Sequence, residues 1–91
     1  MSPALVGPDG TPRVTLLGKP GCHLCEAARE VLAGVVGTVV TDVDVLSDPV
    51  LADQWWEQIP VVLVDGAVVG YWRIDPARVR AALERDTASG G

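Results

Sequence analysis

Val14-Thr15-Leu16-Leu17, Gly18-Lys19-Pro20-Gly21 and Cys22-His23-Leu24-Cys25 follow one another without a break, and their order governs how the rest of the chain reads. The first four residues are an apolar run that suits a strand. The next four are turn chemistry, glycine and proline. From Cys22 onward the pattern is helical. Leu24, Ala28, Val31, Leu32 and Val35 recur at helical spacing, and Glu26, Arg29 and Glu30 fill the other side. Both cysteines of the chain lie in this stretch. A strand, a loop and a CxxC opening a helix is the context of a redox dithiol.

The reason is local. The first N–H groups of a helix have no partner inside it and carry partial positive charge. A thiolate at Cys22 is stabilised there, and the thiolate is the reactive form. Helix N-termini and CxxC motifs lower a thiol pKa below its free value of about 8.5. Residues three apart are neighbours on a helix, so Cys25 lies on the same face one turn further in. Cys22 is therefore expected to attack and Cys25 to resolve. His23 follows the nucleophile. Protonated, it would support the thiolate and raise the potential; neutral, it is an exposed polar residue.

Other readings of CxxC stay open. Structural zinc takes four Cys or His ligands, and this chain offers Cys22, Cys25 and His23, so zinc would need carboxylates or a second chain. An iron–sulfur cluster with four thiolates would need two copies. The cysteines could also be small core hydrophobes.

Ninety-one residues suffice for one domain, and hydrophobic residues make up 48% of them. Two cysteines three positions apart cannot staple a secreted mini-fold. Met1-Ser2-Pro3-Ala4 has neither a basic region nor a long apolar one, and the longest apolar runs are too short to span a bilayer. A cytoplasmic protein that does not engage a membrane is expected. Twelve acids against seven bases leave a net charge of −5. Nucleic acid, which needs clustered Lys and Arg, is excluded as the expected partner.

The rest of the chain reads as alternating elements. Residues 1–12, rich in proline and glycine, suggest a flexible N-terminal arm with a turn at Pro8-Asp9-Gly10. Residues 13–86 form the domain, and 87–91 a disordered tail. Strands are expected at 13–17, 38–45, 61–64 and 67–70, with the second at an edge or wet on one face because Asp42 and Asp44 alternate with Val43 and Val45. Helices are expected at 23–35, at 49–56 behind a Ser47 or Asp48 cap, and from Asp75-Pro76 to about Arg85, with Val79, Ala82 and Leu83 inward. Asp65-Gly66 is a two-residue hairpin turn. The order is βαβ, β-hairpin, α: an α/β fold with a mixed four-stranded sheet, its first crossover right-handed. Ile59-Pro60 comes immediately before the third strand, where a proline, which cannot donate to a ladder, belongs.

Lys19-Pro20-Gly21-Cys22-His23-Leu24-Cys25-Glu26-Ala27-Ala28, with Ile59-Pro60-Val61-Val62 and Asp65-Gly66, resembles the small bacterial glutaredoxin-like proteins of the thioredoxin-like superfamily. The resemblance covers about Arg13 to Arg85. It implies the thioredoxin-like fold, Cys22 as nucleophile and Cys25 as resolving thiol. It also implies a cis bond before Pro60, facing the CxxC, so that the Ile59 backbone receives an incoming chain as a short strand. Lys19 matches the basic residue that precedes the motif in glutaredoxins, where it attracts a carboxylate or lowers the thiol pKa. Two features depart from the pattern. Glutaredoxins have Pro-Tyr between the cysteines, where this chain has His23-Leu24. They also carry a double glycine and an acidic pair that grip glutathione, where Gly70 is followed here by Tyr71, Trp72 and Arg73. Trp55-Trp56 and Tyr71-Trp72 are expected in or at the core rather than rimming a groove beside Pro60.

The expected activity is that of a monomeric thiol–disulfide oxidoreductase. Its catalytic residues are Cys22 and Cys25, and its substrate contacts are Lys19, His23, Ile59, Pro60, Gly70 and Tyr71. The substrate is a protein disulfide or a glutathione adduct. Glutathione or a reductase supplies electrons, and glutathione is a candidate co-substrate. No metal or prosthetic group is required. A cluster- or zinc-binding dimer and a non-catalytic binding domain are the alternatives.

Overall fold

A computed structural model describes residues 4–89. Four strands, β1 (Val14–Gly18), β2 (Thr41–Asp44), β3 (Val61–Val64) and β4 (Ala67–Tyr71), and three helices, α1 (His23–Val36), α2 (Pro49–Trp55) and α3 (Pro76–Ser89), follow in the order β1-α1-β2-α2-β3-β4-α3. The sheet order is β2-β1-β3-β4. β1 pairs parallel with β2 and antiparallel with β3, and β3 pairs antiparallel with β4. The α/β fold and mixed four-stranded sheet expected from the pattern are those observed.

Strand alternation divides the core in two. Val14 and Leu16 of β1 and Val62 and Val64 of β3 point to one face, where they meet Ala28, Leu32 and Val36 of α1 and Val79, Ala82 and Leu83 of α3. Leu17 and Val61 point to the other face and pack with Val45 and Ile59 beneath Leu51 and Trp55 of α2. Only the two central strands need apolar residues on both faces. β2 is an edge strand, and Thr41, Asp42 and Asp44 are exposed.

Caps and turns account for the element ends. The Asp48 carboxylate accepts from Val50 N at 2.9 Å to open α2, with Pro49 as its first residue. Asp75 does the same for Ala77 N at 2.9 Å ahead of α3. Asp65 and Gly66 carry φ values of 52° and 85°, the two positive values that a tight hairpin turn requires.

Several boundaries differ from the pattern-based expectation. β2 spans Thr41–Asp44, not 38–45: Val39 N and Val40 N bond back to Val36 O and Thr38 O in the turn off α1, and Val45 begins a 3-10 turn (Val45–Ser47). The final helix continues to Ser89, past Arg85 and into the expected tail, whose Gly90-Gly91 lie outside the described residues. Leu24, grouped with the inward stripe of the first helix, is exposed; Cys25 takes the inward place and is 1% exposed. Trp56, Tyr71 and Trp72 are also exposed rather than in the core.

The N-terminal arm, described from residue 4 onward, is folded back. Val6 bridges Pro12, Gly7 N bonds Thr11 O at 2.8 Å, and Leu5 packs on the main core. The turn lies at Pro8-Asp9-Gly10 as expected. Arg13 holds this hairpin down. Its buried guanidinium grips both oxygens of Asp65 through Nε at 3.2 and 3.1 Å and donates to Ala4 O at 2.6 Å and Leu83 O at 3.0 Å.

Candidate active site

Cys22 is the N-cap of α1. Its backbone is extended (φ −96°, ψ 116°), and its Sγ accepts the Cys25 N–H at 3.3 Å. Capping positions favour side chains that accept from the free N–H groups of the first turn, and a thiolate sulfur accepts such a bond. The positive φ of Gly21, 73°, turns the loop into this cap. Both thiols are free.

The two cysteines are driven apart in acidity. Burial works against the Cys22 thiolate. Hydrogen bonding from the Cys25 side chain and from the N–H groups of Cys25 and Leu24, aided by the Lys19 charge, more than offsets it, and the thiol lies below its ordinary pKa. Burial pushes the Cys25 thiol up, and its hydrogen bond to Cys22 pushes the same way. Cys22 ionises more readily and is half-buried; Cys25 ionises less readily and is buried.

The sheet places Cys25. Gly18 lies on the α1 side of β1, two residues beyond Leu16. A Cβ added to it would stand 3.1 Å from Cys25 Sγ. The missing side chain is the space the sulfur occupies. The register that pairs Leu17 with Val61 brings Pro60 opposite Gly18. Pro60 is fully buried, and the Ile59–Pro60 peptide bond is cis. Asp44 flanks Gly18 on the β2 side. On the far side Trp72 N donates to Pro60 O at 2.9 Å. One end of the sheet thus carries Asp44, Gly18, Pro60 and Trp72 in a row, with the dithiol above it.

A cleft of about 260 Å³ opens between α1 and the edge strand β2. Cys22, Cys25 and Lys19 line it, together with Glu26, Arg29, Asp42 and Asp44. Arg29 reaches across it to Asp42, Nη2 to Oδ1 at 2.9 Å and Nε to Oδ2 at 3.3 Å. This raises the Arg29 pKa through the Asp42 hydrogen bond. Arg29 lies one turn from Cys25 on the same face and favours its thiolate. Arg29, Asp42 and Asp44 do not stand out in the sequence as site residues, because α1 and β2 meet only in the fold; the acids on a short strand were the available sign.

Of the other expected contacts, Lys19 lies at the dithiol. The His23 imidazole is fully exposed, does not line the cleft, and has Nδ1 4.0 Å from Glu26 Oε2. The Ile59 side chain is buried in the second core cluster. Gly70 and Tyr71 line a separate hollow with Arg73, Asp75 and Arg78. Among the described residues no group of three or more His, Cys, Asp or Glu is arranged to hold a metal ion.

Residues 13–84 match the glutaredoxin-like domain family (DUF836). The chain belongs to this family. Uncharacterized proteins of Mycobacterium bovis and Mycobacterium tuberculosis are each 36% identical to it over 84 residues, covering 84% of this chain and 87% of the relative. The structure of target protein XcR50 from X. campestris is 30% identical, with a TM-score of 0.68 over 79% of this chain and 96% of that one. Two more distant structures share the fold at 20% identity. Oxidized glutaredoxin 2 of Chlamydomonas reinhardtii has a TM-score of 0.53 over 86% of this chain and 77% of its own. A mutant thioredoxin of Halobacterium salinarum has 0.56 over 81% and 73%. This glutaredoxin-like protein therefore has the thioredoxin-like fold, with its CxxC at the head of α1.

Proposed function

We propose that this glutaredoxin-like protein is a thiol–disulfide oxidoreductase. The Cys22 thiolate attacks one sulfur of a client disulfide. That S–S bond breaks, one client sulfur leaves as a thiolate and takes up a proton, and a mixed disulfide joins Cys22 to the client. Cys25 then gives up its proton and attacks Cys22 Sγ, expelling the second client thiolate. The client gains two electrons, and Cys22 and Cys25 lose them as they form a disulfide. A thiol reductant, glutathione or a dithiol reductase, returns the pair to the reduced state. No metal or prosthetic group enters the cycle. The protein works as a monomer in a compartment kept reducing, the cytoplasm.

The observation that carries this reading is the hydrogen bond from Cys25 N–H to the sulfur of the half-buried Cys22, with the buried Cys25 thiol beside it. The difference between the two thiols in exposure and acidity supports Cys22 as the nucleophile and Cys25 as the resolving thiol. No helix among the described residues is long and apolar enough to cross a membrane.

Turnover of insulin disulfide and of a glutathione mixed disulfide, with glutathione or a reductase as donor, tests the proposal. Cys22→Ser should abolish it, and Cys25→Ser should trap the mixed disulfide. Activity that survives Cys22→Ser would refute the assignment. Full retention by Cys25→Ser toward glutathione adducts would replace the two-thiol route with a one-thiol one.

A further inference from the structure

The two flanks of α1 differ in character. Positions 22, 25, 26 and 29 share the side that faces the charged cleft. The opposite side carries Leu24, Ala27, Ala28 and Val31. Leu24, between the two cysteines, is 45% exposed. One turn on, about 5 Å along the axis, Ala27, Ala28 and Val31 form a hollow with Trp72, Arg73 and Ile74.

Trp72 is held in place rather than loose. Its backbone has φ 63°, a conformation that a bulky residue rarely adopts. Its N–H donates to Pro60 O at 2.9 Å, and its indole Nε1 donates to Glu57 O at 2.9 Å. The Tyr71 ring stands edge-on to it with centroids 5.1 Å apart. Even so, the indole is half-exposed. The result is a fixed aromatic surface beside Pro60, which is itself the strand-end neighbour of Gly18 and of the Cys25 sulfur resting on Gly18.

We infer that Trp72 and its hollow determine substrate choice, selecting polypeptide disulfides in which an apolar side chain flanks the reacting cysteine. This rests on the thiol–disulfide reading above. In that cycle the client is covalently joined to Cys22, so the occupant of the adjoining apolar flank is the remainder of the client. The hollow offers one charge, Arg73, against five apolar residues. Glutathione carries an ammonium and two carboxylates and gains little there, whereas an extended segment with a leucine or phenylalanine next to its cysteine covers Leu24 and the indole. Fixed aromatic residues at the centre of a contact supply a large share of its binding energy.

The test uses the full chain carrying Cys25→Ser and three disulfides of one chromogenic thiol: with a peptide bearing leucine beside its cysteine, with the same peptide bearing serine there, and with glutathione. The readout is the ratio of the rates at which each traps on Cys22 within one protein, which a change in folding or thiol reactivity does not move. The leucine peptide should react about tenfold faster than the serine peptide, the size expected for one contact residue, and faster than the glutathione derivative. Trp72→Gly, which suits the positive φ, should bring the leucine-to-serine ratio close to one. Trp72→Phe should keep most of it. Equal rates in the parent protein, a ratio untouched by Trp72→Gly, or preference for glutathione would each overturn the inference and leave the oxidoreductase reading standing. A dimer in sedimentation that Trp72→Gly dissolves would assign the surface to self-association and overturn it as well. If no disulfide reacts while iodoacetamide still alkylates Cys22, the oxidoreductase reading itself fails, and this inference with it.

Discussion

Cys22 differs from an ordinary exposed thiol through what lies within a few ångströms of its sulfur. Hydrogen bonding from Cys25 and the Leu24 N–H, with the Lys19 charge, prevails over burial and lowers its pKa. Folding therefore favours the thiolate. The associated stability is present above the pKa of the unfolded thiol and falls away as pH drops through the folded value. Iodoacetamide alkylation of Cys22 should rise with pH at a midpoint below that of a free cysteine, while Cys25 should resist. Lys19→Gln should move the Cys22 midpoint upward, and an unmoved midpoint would remove Lys19 from the account. At Gly18, a methyl group would meet Cys25 Sγ at 3.1 Å, too close for the sulfur to stay where it is. Gly18→Ala should displace Cys25 and slow its attack on the mixed disulfide, so that the intermediate accumulates in quenched, alkylated samples. Resolution at the parental rate would show that the close approach has no functional role.

At the scale of the element, α1 does two jobs with one helix. Cys25, Ala28, Leu32 and Val36 anchor it to the sheet, while its first turn presents the dithiol. Its weak point is Gly34. This residue is helical and exposed, and a Cβ there would meet nothing within 4 Å. Gly34→Ala should stabilise the protein by roughly 0.5–1 kcal/mol, because glycine loses more backbone freedom than alanine in a helix. Thermal unfolding should shift up by about 2–8 °C for a domain of this size, with no change in Cys22 alkylation. The Arg29–Asp42 pair joins the same helix to β2. Both side chains are about half-exposed, so the pair is worth about 0.2–1 kcal/mol and matters more for the shape of the cleft than for stability.

Across the whole molecule, Arg13 ties together parts that the chain order separates. Its buried guanidinium joins the N-terminal hairpin at Ala4, the β3–β4 turn at Asp65 and the body of α3 at Leu83. Arg13→Leu strips a partner from the buried Leu83 carbonyl, from the Ala4 carbonyl and from Asp65, at a cost of about 2–3 kcal/mol, which lowers the melting temperature by on the order of 10 °C. Urea unfolding provides the check, and a change within 0.5 kcal/mol, about the usual range of a surface substitution, would show that the three segments hold together without it. Arg13 begins the domain in sequence but carries no motif, and only the fold shows what it connects.

The chain alone determined what depends on near neighbours: the short apolar runs of β1 and β3, the Asp48-Pro49 and Asp75-Pro76 helix starts, the Asp65-Gly66 turn, and the CxxC at a helix mouth. These are short-range effects of backbone sterics, capping and local hydrophobicity, and they sufficed for element order and for the two thiols. Tertiary structure decided what lies beside what. It brought Arg29 to Asp42, set Cys25 over Gly18, turned Leu24 and Trp72 outward, moved Gly70 and Tyr71 to a separate hollow, and pinned the first residues with Arg13. Such contacts join residues far apart along the chain, through register and packing that no local pattern encodes.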